Sequence, residues 1–285
     1  MEYTIAHETS YVYPKSVHES YTVVHLQPRS DQSQFCSKYE LRVQPESSPL
    51  SYVDRFGNDV QHFAILPAHD ALSITTRSHV VTLPSSEPTR PAAATRALLE
   101  TDRKVPRFYD FLHDSAYVRA GPELDDFVAE LEPPGERIGA WCLDLAAAIH
   151  RGFAYDRTAT NVRTAVAGAL AARAGVCQDF AHIMIAALRG AGIPARYVSG
   201  YIFGGDSTVL GAEASHAWCE AYLPPYGWVG FDPTNDRLID DSFVRVAVGR
   251  DYGDVSPVRG IYRGGGASEM SVNVAMDLLT GTQQQ

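Results

Sequence analysis

The sequence predicts an α+β protein, a β-sandwich-like domain over residues 1–90 followed by a domain in which helices precede a run of strands. Two observations carry the prediction. From Tyr3 to about Leu83 the apolar residues recur with period two, and from Ile138 they recur at spacings of three and four before strand-like runs return at Ala195.

In the first part, Tyr3, Ile5, His7, Thr9 and Tyr11 alternate with their neighbours, as do Tyr39, Leu41 and Val43. Gln44-Pro45-Glu46-Ser47-Ser48-Pro49 and Arg55-Phe56-Gly57-Asn58-Asp59 supply the Gly, Pro, Asn and Asp that punctuate antiparallel sheets. The Pro-rich stretch Pro84–Pro91 interrupts the pattern, so the second domain is expected over 91–263. Its first clear helix places Ile138, Trp141, Cys142, Leu145 and Ile149 on one face, with Cys142 as a core thiol. A second helix follows the template Phe180, Ile183, Met184, Ala187, Leu188, and Gly190 with Gly192-Ile193-Pro194 marks its end. Strands are expected over Ala195–Phe203, Ser215–Leu223 and Gly227–Asp232. Residues 264–279 read as a Gly-Gly-Gly linker and one more strand, from the alternation of Met270, Val272, Val274 and Met276, and 280–285 as a flexible tail.

A net charge of −10, from 24 Lys+Arg against 34 Asp+Glu, disfavours nucleic acid and anionic membrane as partners. The start of the chain lacks the basic and apolar regions of a signal peptide and no apolar run reaches membrane-spanning length, so a cytoplasmic location is expected. The four cysteines, Cys36, Cys142, Cys177 and Cys219, form no CxxC pair and each needs its own explanation.

Cys177 falls at the predicted N-terminus of the second helix, where unpaired N–H groups and the helix dipole favour a thiolate and can hold an oxyanion. Alternation in Ser215–Tyr222 sets His216, Trp218 and Glu220 on one strand face and Ala217, Cys219 and Ala221 on the other, so His216 leads a strand as a base of near-neutral pKa. Asp232 ends a strand ahead of Pro233, placed to orient an imidazole. Taken singly, each has an ordinary structural role open to it: a buried inert thiol, a packed histidine, a turn aspartate. A zinc site from Cys177, His216 and Cys219 is opposed by the alternation that turns His216 and Cys219 apart, and no metal or other cofactor is expected. His182 and Asp179, on the same helix as Cys177, are read as packing and first-turn residues.

Four ordered blocks give these residues a shared context. Gly175-Val176-Cys177-Gln178-Asp179-Phe180-Ala181-His182, Gly192–Tyr201, Ser215-His216-Ala217-Trp218 and Phe231-Asp232-Pro233-Thr234-Asn235 resemble bacterial transglutaminase-like proteins. Tyr3–Tyr13, Leu26-Gln27-Pro28-Arg29 and Asp54-Arg55-Phe56-Gly57-Asn58 resemble the β-rich domain that precedes their catalytic core. The resemblance implies a papain-like core in which the cysteine-bearing helix packs on an antiparallel sheet, with Cys177 as nucleophile, His216 as base and later acid, and Asp232 as orienter. It also implies an aromatic residue upstream of the cysteine near the oxyanion site, for which Tyr155 is the candidate. Trp141 is the alternative, although its place on an apolar helix face favours the core. Gln178 and Trp218 are further oxyanion or substrate candidates, and Arg196 is expected to pair with an acid. The implied reaction is acyl transfer on a peptide or carboxamide carbonyl through a Cys thioester. Protease or amidase hydrolysis of a peptide or protein substrate is preferred over glutamine–amine cross-linking, and a non-catalytic binding module is the alternative from another class.

Overall fold

One long strand organises the N-terminal half. In the computed structural model, which describes residues 1–84, 91, 93–102, 104–205, 209–212 and 214–279, β1 runs from Glu2 to Val24. The boundary residues 85–90, the loop residues Asp206 and Ser207 and the expected tail Thr280–Gln285 lie outside the described residues. Along β1 the residues expected to point inward, Tyr3, Ile5, His7 and Thr9, are buried. Each large apolar one contributes about 1.5–3 kcal/mol relative to exposure.

β2 (Gln34–Gln44), β3 (Leu50–Val53), β4 (Asp59–Ile65) and β5 (His69–Thr82) join β1 in an antiparallel sheet in the order β2-β5-β1-β4-β3, to which two C-terminal strands are added. β5 pairs with the first half of β1 and β4 with the second, and the β1 register shifts between Val12 and Val17. The sheet therefore curls along its own strands instead of splitting into two separate sheets. Tyr13, Val17, Val24, Phe63, Ile65, Leu72 and Ile74 fill the space inside the curl. This is how the expected sandwich-like core is made.

The second half contains α1 (Arg96–Asp102), a 3₁₀ turn (Pro106–Phe111), α2 (Pro122–Ala129), α3 (Ile138–Gly152), β6 (Ala154–Tyr155), α4 (Val166–Ala172), β7 (Ala174–Gly175) and α5 (Cys177–Gly190). Then follow β8 (Ala195–Ile202), β9 (His216–Leu223), β10 (Gly227–Asp232), β11 (Arg237–Leu238), β12 (Phe243–Gly249) and the short α6 (Tyr252–Val255). The five strands from β8 to β12 form an antiparallel sheet of order β11-β10-β9-β8-β12. The α3 stripe is buried as its spacing predicts, and Trp141 donates from Nε1 to Glu132 O at 2.9 Å, a core role. Helix α5 is buried along its length from Cys177 to Arg189, with the sheet packed against it and α2, α3 and α4 also in contact. Ala217, Cys219 and Ala221 share its core, whereas Trp218 belongs to a separate cluster with Val198, Ile202, Ile239 and Phe243. The alternation read from the sequence thus separates the two faces of β9.

The C-terminal part departs from expectation. β13 (Val258–Gly264) and β14 (Glu269–Leu278) both pair with β1, β13 with its second half and β14 with its first. The N-terminal sheet thus takes back the chain from residue 258: Gly264 ends β13, Gly265 and Gly266 fall in the connection to β14, and β14 is the strand expected from the alternation of Met270, Val272, Val274 and Met276. These glycines carry φ of 92°, 70° and 78°, and they lie where β1 bends. A Cβ on Gly265 would fall 2.3 Å from Val17 Cγ1, so the strand can follow the bend only without side chains there.

The two N-terminal sequence blocks meet at the interdomain contact. Arg29 Nη1 donates to Phe56 O, Gly57 O and Asn58 Oδ1 at 3.2, 2.9 and 2.7 Å. Asn58 then pairs with both the N–H and the C=O of Val248 at 2.8 Å, and Gln34 does the same for Arg245 at 2.8 Å. Both targets lie on β12, the edge strand of the second sheet, where outward-facing backbone groups need partners from outside the sheet. His7 adds a contact to Tyr201 Oη at 2.9 Å, and Tyr3 and Ile5 enter the same apolar cluster as α5.

Candidate active site

Cys177 is the first residue of α5, preceded by Val176 in extended conformation. The turn is fixed by Asp179, whose Oδ2 accepts from Val176 N at 2.9 Å and from Thr160 Oγ1 at 2.6 Å. Burial raises the Asp179 pKa despite those two donors. This places Cys177, only 8% exposed, in the first turn of α5, where a helix leaves N–H groups without internal partners. His216 opens β9 and Asp232 closes β10, its sheet neighbour. His216 Nε2 lies 2.9 Å from Asp232 Oδ2, and both side chains are completely buried. Among the described residues, Nδ1 has no hydrogen-bond partner of regular geometry. The Cys177 thiol is nonetheless close enough to act on the imidazole through its charge and hydrogen bonding.

The electrostatics follow from that enclosure. Burial works against an imidazolium at His216, but the charge and hydrogen bond of Asp232, with Cys177 beside it, outweigh burial and raise its pKa. Asp232 moves the other way: burial opposes its ionisation, and His216, Asn235 and the Thr234 N–H overcome this. Among the described residues both Asp232 oxygens accept only from N–H donors, Oδ1 from Thr234 N at 2.9 Å and Asn235 N at 3.4 Å, Oδ2 from His216 and from Asn235 Nδ2 at 2.7 Å. The site is therefore built for an ionised carboxylate.

The other sequence candidates separate. Tyr155 stands next to Gly175 in the parallel β6–β7 pair, which brings it beside the turn into Cys177, with its ring 6.4 Å from that of Phe180. Gln178 donates from Nε2 to Val162 O at 3.2 Å and so ties down the loop before α4. Trp218 is placed differently from expectation: it is fully buried on the face of β9 turned away from α5, its ring 6.2 Å from His216 and 5.4 Å from Phe243. Its indole packs against Gly200 of the neighbouring strand, where a Cβ would fall 2.4 Å from Trp218 Cη2. His182 is buried in packing, and its Nε2 accepts from Tyr252 N at 3.1 Å. Arg196 pairs with Glu220 at 2.6 Å, which also receives Arg245 Nε at 2.6 Å. Asn235 is a site residue that sequence reading missed. The signal available was an amide three residues after Asp232, in a turn where an Asp side chain collects following N–H groups.

Residues 126–233 match the transglutaminase-like superfamily core, and residues 3–81 match the bacterial transglutaminase-like N-terminal region. An uncharacterized protein of Mycobacterium tuberculosis H37Rv is 34% identical over 272 residues, covering 91% of this chain and 87% of its own length. The chain belongs to the transglutaminase-like superfamily. An uncharacterized protein of Mycobacterium leprae is 34% identical over 281 residues, 96% of this chain and 98% of that relative. A solved Cytophaga hutchinsonii chain, described as a candidate cysteine protease, shares the transglutaminase-like fold with a TM-score of 0.81 at 23% identity, over 99% of this chain and 92% of that one. A Pseudomonas aeruginosa protein-glutamine gamma-glutamyltransferase is 34% identical over 102 residues, which is 32% of this chain and 15% of that enzyme.

Proposed function

We propose that this transglutaminase-like protein is a cysteine enzyme that transfers an acyl group from a peptide or carboxamide through a thioester on Cys177. The observation that carries the reading is the buried His216–Asp232 pair, with Nε2 to Oδ2 at 2.9 Å, next to a thiol at a helix N-terminus. With the His216 pKa raised, the imidazole holds a proton in the resting site. Cys177 Sγ attacks the carbonyl carbon, and the oxyanion is held by first-turn N–H groups of α5, with Tyr155 beside them. As the C–N bond breaks, His216 gives its proton to the leaving amine or ammonia. A water then attacks the thioester, His216 takes the proton of that water, and the C–S bond breaks to release the acid. Asp232 keeps the imidazole oriented throughout.

Hydrolysis is favoured because water is always available as acceptor and no feature of the sequence marks a site for a second substrate. A second reading, amine attack on the same thioester, is supported by the local similarity to the Pseudomonas aeruginosa protein-glutamine gamma-glutamyltransferase. One experiment separates them. A glutamine-containing peptide is incubated with the protein, with and without a primary amine, while ammonia, acid and amide products are quantified. Hydrolysis predicts acid as the main product even with amine present, and stoichiometric formation of the new amide would establish the second reading. Intact-mass analysis of the quenched reaction is expected to show an acyl adduct on wild type and none on Cys177→Ala. If wild type forms no adduct and releases no product across a panel of peptides and carboxamides, the protein is a binding module on an enzyme fold.

A further inference from the structure

Asp232 has a partner that the acyl-transfer chemistry does not use. Asn235 donates from Nδ2 to Asp232 Oδ2 at 2.7 Å and to Leu210 O at 3.2 Å, and its Oδ1 accepts from Leu210 N at 3.0 Å. Only this orientation of the amide works. Turned over, Oδ1 would face a carboxylate and a carbonyl, and Nδ2 would face an N–H. One side chain is thus bonded both to the triad carboxylate and to both main-chain polar groups of Leu210.

The residue after Leu210 shows why that link matters. Gly211 is buried with φ of +90°, and a Cβ built on it would lie 2.3 Å from His216 Nδ1 and 3.1 Å from Cε1. The main chain at 210–211 therefore packs directly on the imidazole edge turned away from Asp232. His216 sits between two walls, a carboxylate at Nε2 and the Gly211 backbone at Nδ1, and Asn235 is bonded to the carboxylate and to Leu210, the residue before that glycine.

We infer that Asn235 is a positioning residue: by tying Leu210 to Asp232 it sets the width of the imidazole slot and so fixes the orientation of the His216 ring beside Cys177. The inference rests on the reading of Cys177, His216 and Asp232 as nucleophile, base and orienter. Without the amide, Oδ2 of Asp232 loses one of its two donors, and the 210–211 backbone loses its anchor to the site. The imidazole can then tilt away from the sulfur even though all three reacting side chains remain.

The test is the rate at which iodoacetamide alkylates Cys177 in the full-length protein between pH 5 and pH 9, followed by peptide mass spectrometry. A cysteine paired with an imidazolium reacts well below the pH at which a free thiol does. Asn235→Ala is expected to slow alkylation at pH 6 by about tenfold, while leaving the rate at pH 9, where the thiol ionises unaided, within about twofold of wild type. A role limited to holding the loop would uncover the buried sulfur and speed alkylation at every pH. That result, or a profile matching wild type, overturns the inference. If Asn235→Ala does not fold, Asn235→Asp preserves the shape and swaps the donor for an acceptor. It is expected to depress alkylation at pH 7 and to recover towards pH 5 as the introduced carboxyl regains a proton to donate. Asn235→Asp behaving as wild type at both pH values overturns the inference as well. Wild type that reacts no faster than a free thiol at pH 6 refutes the triad reading itself, and is thereby distinguishable from a failure of the Asn235 link alone.

Discussion

Replacing Glu220 by Gln is expected to cost about 3–5 kcal/mol of stability, because it leaves the buried Arg245 and the partly buried Arg196 without their shared counter-ion. Glu220 is completely buried on β9, four residues beyond His216. Its Oε2 accepts from Arg196 Nε at 2.7 Å and Nη2 at 2.6 Å, and Oε1 accepts from Arg245 Nε at 2.6 Å. Burial raises the carboxyl's pKa, yet the two cations outweigh it and hold the pKa at about 2. A glutamine of the same shape has one acceptor oxygen, so its amide nitrogen must face one of the guanidiniums, donor against donor. For a chain of 285 residues the unfolding entropy is about 0.6 kcal/mol per degree, so the loss lowers the melting temperature by about 5–8 °C. Differential scanning calorimetry at pH 7 measures it. Because the ion pairs join β8, β9 and β12 rather than the thiol site, the folded variant is expected to keep wild-type alkylation of Cys177. A melting temperature within about 1 °C of wild type would refute the treatment of Glu220 as a buried, paired charge.

Three further outcomes follow from other parts of the structure. Asp232→Asn must place an NH₂ against N–H donors on either side; turned to His216, it moves the imidazole proton to Nδ1. Turnover, or alkylation at pH 6 in its absence, is expected to fall by about 10³–10⁴-fold or to the free-thiol level, and an unchanged rate would contradict the assigned orienting role. Asn58→Ala leaves both polar groups of Val248 on the edge strand β12 unpaired; urea unfolding should show a loss of about 2–4 kcal/mol, and a loss below about 0.5 kcal/mol would argue against the interdomain clamp. The acid dependence has a definite sign. Burial lowers the pKa of His7 and of His182 to about 4, so between pH 6.5 and 4 the unfolded chain binds protons that the folded chain does not. Stability should then fall with pH in that window by up to about 1.4 kcal/mol per pH unit for each histidine. His216 contributes with the opposite sign and above the window: its raised pKa stabilises the fold fully below pH 6.5, and that contribution is lost as pH rises through the folded pKa. Chemical unfolding at successive pH values tests this, and flat stability from pH 6.5 to 4 would count against it.

Local patterns carried most of what was legible in the sequence. Period-two burial along β1, the α3 stripe and the two faces of β9 depend on neighbours a few residues away, and the sequence holds that information directly. The placement of Cys177, His216 and Asp232 was legible because each stands at an element end, the first residue of α5, the first of β9 and the last of β10. What escaped depends on distant partners. Gly264-Gly265-Gly266 has the composition of a linker, and nothing in it shows that the strands it joins, β13 and β14, both pair with β1. Trp218 lies beside His216 in sequence but packs under it, since its indole fills the space left by Gly200 in the neighbouring strand. Asn235 acts through Leu210, 25 residues earlier, and no periodicity connects the two.

The central claim is that His216, held by Asp232, keeps Cys177 reactive at pH values where an ordinary thiol is not. It is tested most directly by the pH dependence of Cys177 alkylation by iodoacetamide in wild type and in His216→Ala. The account predicts that wild type reacts substantially faster than a free thiol at pH 6, and that His216→Ala shifts the profile upward so that rapid reaction needs pH above about 8.5. Coincident profiles for the two proteins would contradict it.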